Sequence, residues 1–98
     1  MGAEVFQQTA SGKTPKEAFQ KAVDEALYDY GHAGYTGTIA EKCSFVVIKP
    51  RAKTLEEAQE RADKLIEDSD PRIDDKWGDA GCIQYDDNSY LFFGWASS

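Results

Sequence analysis

Ninety-eight residues, 41% of them hydrophobic and 12% aromatic, suit one α+β domain spanning 1–98 and exclude a disordered acidic tail. No apolar run has the length of a transmembrane helix. The net charge of −7 disfavours direct binding to nucleic acid or an anionic membrane and favours a basic protein partner.

From the N-terminus, "MGAEVFQQ" lacks the basic and apolar segments of a signal peptide, and Phe6 stands where a myristoylation motif requires Ser or Thr. Cys43 and Cys82 are the only cysteines, which leads us to expect reduced thiols in a cytoplasmic protein. Residues 3–10 form the first expected strand. "KTPKEA" and "KTLEEA", forty residues apart, each place Glu three residues after Thr. This is the capping-box spacing, so helices are expected to start near Thr14 and Thr54. Ala18, Phe19, Ala22, Val23, Ala26, Leu27 and Tyr30 form one apolar stripe, and Leu55, Ala58, Ala62, Leu65 and Ile66 a thinner one.

Between the helices lies "YGHAGYTGTIAEK". A phosphate cradle needs glycines leading into a helix N-terminus, where free amides and the positive dipole end converge. Here the glycines follow a helix instead. Gly31 is expected to close that helix in a left-handed conformation, with His32 as a capping histidine. The remaining strands are expected at 36–42 and 44–49, a hairpin, and at 80–86 and 89–96, a second hairpin turning through Asp87 and Asn88. The resulting order, β-α-β-β-α-β-β, is a ferredoxin-like variant: an antiparallel sheet with two helices on one face and an extra C-terminal strand. Matched helix openings suggest two related halves. On the last strand Leu91, Phe93 and Trp95 share one face, and Tyr90 and Phe92 the other. If one face is open, a homodimer through it or through the terminal edge strand is expected.

The charge is unevenly spread. From Glu67 to Asp87 eight acids face only Arg72 and Lys76, so this segment holds −6 of the total −7. Asp68, Asp70, Asp74, Asp75, Asp79, Asp86 and Asp87 are the candidate interaction surface, able to imitate a phosphate track if the loop folds back across that end of the sheet. The alternative is a small ligand-binding domain or enzyme at loop 31–38, with His32, Tyr35, Thr36 and Thr38 as its polar groups. That loop contains no recognisable set of nucleophile, base and orienting acid. No cofactor or metal is expected. His32, Cys43 and Cys82 lack chelating spacing for zinc. In "DSDPRIDD", Arg72 and Ile73 occupy the third-ligand and glycine positions of an EF-hand counted from Asp68.

Together "YGHAGYTGTIAEK", "DKWGDAGCI" and "LFFGWASS" resemble a small family of uncharacterised proteins from bacteria and their phages. The resemblance covers most of the chain and implies a bacterial or phage setting and an accessory role. It supplies no activity or site residues. The sequence reading is therefore a non-enzymatic acidic interaction protein, an inhibitor or phosphate mimic acting on a basic, nucleic-acid-handling partner.

Overall fold

The computed structural model of the chain describes residues 3–30, 39, 42, 44–74 and 78–97. Six elements follow one another: β1 (Ala3–Ser11), α1 (Pro15–Tyr30), β2 (Phe45–Val47), α2 (Leu55–Glu67), β3 (Ala80–Asp86) and β4 (Ser89–Ser97). The four strands form one sheet in the order β1-β4-β3-β2. β4 is antiparallel to β1 and β3, whereas β2 runs parallel to β3. The α+β class with two helices stands. The C-terminal strand expected at 89–96 is β4, whereas the wholly antiparallel sheet is corrected to a mixed one and the ferredoxin-like order is not fully matched.

The helices begin where their threonines place them. Oγ1 of Thr14 and of Thr54 each accepts the backbone N–H of the Glu three residues on, at 3.1 Å. At α2, Glu57 also reaches back to accept the Lys53 N–H at 2.9 Å, one residue earlier than the usual capping-box partner. At α1, Glu17 instead pairs with Lys21, at 3.5 Å. α2 ends in a Schellman turn: Ser69 N–H donates to Ile66 O and Asp70 N–H to Leu65 O, both at 3.1 Å. Ser69 takes the left-handed position at φ 54° that glycine usually fills.

The most consequential departure concerns the two faces of the sheet. α1 packs with Phe6, Phe45, Ala80, Cys82, Tyr90, Phe92 and Ala96, whereas α2 packs with Val46, Ile48, Ile83, Leu91 and Phe93. Adjacent positions along β4 thus serve different helices, which places the helices on opposite faces. The chain path explains this. β1, β2 and β3 are mutually parallel; the α1 crossover runs from the β1 edge across to the β2 edge, and the α2 crossover returns from β2 to its neighbour β3. Two crossovers of the same hand that travel in opposite directions must lie on opposite faces. Among the described residues each face of the sheet thus carries a helix, so neither is the open face from which one route to a homodimer was expected.

The hairpin expected at 36–42 and 44–49 lies partly outside the described residues. Within them, Ile39 is fully buried against the α1 side in a tight turn, with Lys42 N–H donating to Ile39 O at 2.9 Å rather than to a neighbouring strand. β2 takes β3 as its parallel partner, and the pairing continues past its end through Ile48 N–H to Cys82 O and Ala52 N–H to Gln84 O, both 2.8 Å. The second hairpin turns at Asp87 and Asn88, as expected. It carries a register shift between Gln84 and Asp86.

Candidate functional site

The strand directions sort the seven candidate acids. β1, β2 and β3 start at one end of the sheet, here called the base, and finish at the other, the tip. α2 descends to the base, so Asp68, Asp70, Asp74 and Asp79 lie in the connection that joins it to β3. Asp86, the last of the seven residues of β3, and Asp87 just beyond it lie at the tip. At about 3.3 Å per residue, that strand holds the two groups about 20 Å apart. The single track imagined from sequence is thus two separate sets. Asp75 lies outside the described residues.

Each set has its own local chemistry. Asp68, Asp74 and Asp79 are exposed. Asp70 is tied to Arg72, whose Nε and Nη2 donate to its two carboxylate oxygens at 2.9 and 3.0 Å. That guanidinium hydrogen bond, joined by the Arg72 backbone N–H, lowers the Asp70 carboxyl to about 2. At the tip, Asp87 pairs with Arg51 at 3.3 Å and the Asp86 carboxylate accepts the Asp87 N–H at 2.7 Å. Part of the acidic excess therefore serves turn geometry, as short Asp side chains do when they accept nearby backbone N–H groups.

His32, Tyr35, Thr36 and Thr38, with Gly31 and Cys43, lie outside the described residues. Among the described residues the structure shows a polar cluster that sequence reasoning missed. Lys42 is buried, and its Nζ donates to Gly78 O at 3.0 Å. Ser44 Oγ donates to the Asp79 carboxylate, while Ala80 N–H donates to Ser44 O at 3.1 Å. These bonds join the entries of β2 and β3 at the base. No sequence signal marks Lys42, because a lysine preceding an apolar strand is ordinarily solvated and only the convergence of two strand entries buries it.

Among the described residues Cys82 is the one cysteine, and it is buried. Burial pushes the Cys82 thiol up to about 12, which suppresses the thiolate needed for attack. Among the described residues no three His, Cys, Asp or Glu side chains gather as a metal site. No described helix is long and apolar enough to cross a membrane. No family model, curated protein or solved structure matches the chain.

Proposed function

We propose that the protein is a non-enzymatic interaction module, of bacterial or phage origin, that offers carboxylates at the base of its sheet to a basic, nucleic-acid-handling protein. One observation carries this reading. Glu67, Asp68, Asp74 and Asp79 are exposed at one end of the molecule, and Arg72, within the same connection, is occupied by Asp70. A localised negative field of this kind steers a basic partner and accelerates encounter. The tip acids, with Asp87 held by Arg51, are not part of this surface.

The test is a pull-down from bacterial lysate at low and high salt, comparing Glu67→Lys with Asp74→Lys against Asp86→Lys with Asp87→Lys. Salt-sensitive retention of basic nucleic-acid-handling proteins is expected to vanish with the base pair of substitutions and to survive the tip pair. Equal retention by both variants would remove the base surface from consideration. The ligand-loop reading then becomes the better one, with the buried Lys42 four residues beyond segment 31–38 in the chain.

A further inference from the structure

On a chain of net charge −7, four of the eleven basic residues line one groove. Lys49, Arg61, Lys64 and Arg72 surround a space of about 200 Å³ beside α2, together with Ile48, Leu65 and the carboxylate of Asp68. The lining thus holds three net positive charges. Helical spacing supplies half of it: Arg61, Lys64 and Leu65, at i, i+3 and i+4, share a flank of α2. The other flank carries Asp63, which accepts a 2.6 Å bond from Gln7 of β1.

Two of the cations are pre-oriented. Arg61 donates from one Nη1 to Pro50 O. Arg72 is held by Asp70 through two of its five N–H donors. Lys49 and Lys64 are exposed and form no ion pair among the described residues. Ile48 is buried and pinned to β3 through its N–H bond to Cys82 O, so an apolar wall of the groove is fixed. Together these features make a small, solvent-open groove with guanidinium forks and exposed ammonium groups, the pairing that suits phosphate oxygens.

We infer that this groove binds a small phosphate-bearing ligand, its phosphate held by Lys49, Arg61 and Lys64. Its size sets the class, since about 200 Å³ is below the roughly 300–1,000 Å³ of pockets that enclose drug-sized molecules. A phosphate with a small attached group fits. The surrounding negative charge repels a nucleic-acid polymer. Because the groove lies beside the C-terminal half of α2, recognition depends on side-chain charge rather than helix amides. The groove borders the acidic base surface and shares Asp68 with it, but Lys49, Arg61 and Lys64 lie outside that surface, so phosphate binding does not depend on the proposed protein interaction.

The test is an amide-resolved NMR titration of the full chain in low-salt, phosphate-free buffer with inorganic phosphate, pyrophosphate and an oligoglutamate peptide. Pyrophosphate is expected to bind more tightly than phosphate, moving amides at 48, 49, 61–65 and 72 saturably, with a Kd on the order of 1 mM. The Lys49→Ala, Lys64→Ala variant should weaken it about tenfold, and Asp68→Asn should strengthen it. Both changes are at exposed positions, so an otherwise unchanged spectrum verifies the fold. Shifts that fail to saturate, or that scatter equally over Lys13, Lys16 and Lys53, would overturn the assignment. So would tighter binding of oligoglutamate than of pyrophosphate, which would make the groove a seat for an acidic peptide.

Discussion

The two faces of the sheet are built from different materials around similar helices. On the α1 face the bulk is aromatic: Phe19, Phe45 and Phe92 meet with ring centroids 5.0–5.7 Å apart, and Tyr90 lies 6.4 Å from Phe92. On the α2 face it is mainly aliphatic, from Ile48, Ile73, Ile83 and Leu91, with Phe93 as its one fully buried ring among the described residues. Both helices present alanines to the sheet, Ala18, Ala22 and Ala26 on one side and Ala58 and Ala62 on the other. Small helix residues allow close approach, so core volume is supplied largely by the strands and loops. The aromatic face gains from ring geometry. The aliphatic face depends on a missing atom, since a Cβ at Gly81 would sit 2.5 Å from the Phe93 ring that covers it.

The largest expected effects come from emptying either face. Phe92→Ala and Phe93→Ala should each cost about 3–5 kcal/mol in urea denaturation, a large part of the roughly 5–15 kcal/mol that holds a typical domain together. The milder Phe92→Leu and Phe93→Leu pair sharpens the comparison. Phe92 leaves three ring partners behind, Phe19, Phe45 and Tyr90, so its replacement should cost about 0.5–1.5 kcal/mol more than that of Phe93. Equal costs would show that ring geometry adds nothing on the α1 face.

Gly81→Val comes next, with an expected loss of about 1–3 kcal/mol from overpacking against Phe93. In a Phe93→Leu background the loss should shrink, and a double-mutant cycle measures that coupling. Additive effects would break the proposed dependence of the α2 face on the bare glycine. The caps should separate the helices more gently: Thr54→Ala should cost about 1 kcal/mol and Thr14→Ala less. Only at α2 does the capping Glu also accept a backbone N–H ahead of the helix.

The smallest effect near neutral pH concerns Cys82 on the α1 face. Its thiol is raised to about 12 when folded, whereas an unfolded thiol titrates near 8.5. The unfolded chain therefore loses this proton first, so the stabilising contribution is complete below about 8.5 and is lost as pH rises towards the folded value. In a Cys43→Ser background, native protein should resist alkylation at Cys82 at pH 8, and unfolding should expose that thiol at once. Rapid native alkylation would show that the α1 face opens far more readily than its packing implies.

Local features of the fold were legible because local chemistry specifies them. Thr14 and Thr54 mark the helix starts, Tyr30 the end of α1, and Asp87 with Asn88 the β3-β4 turn. The aromatic surplus on β3 and β4 was legible too, but its meaning was misread. Tyr90 and Phe92 alternate with Leu91 and Phe93 because β4 is a central strand covered on both sides, a pattern that open-faced sheets do not need. Of the candidate sites, the acidic composition was readable, but its division between base and tip was not. The cationic groove escaped notice because Lys49, Arg61, Lys64 and Arg72 are scattered among acids along the chain.

The sequence by itself determined the helices, their starts, their apolar stripes and one hairpin, since capping and side-chain periodicity act over a few residues. Only the tertiary structure decided that β2 pairs in parallel with β3, that the helices lie on opposite faces, and which charges become neighbours. Those outcomes depend on crossover direction and on segments far apart in the chain. Composition fixes the total charge, but strand length and direction determine the distances between individual charges.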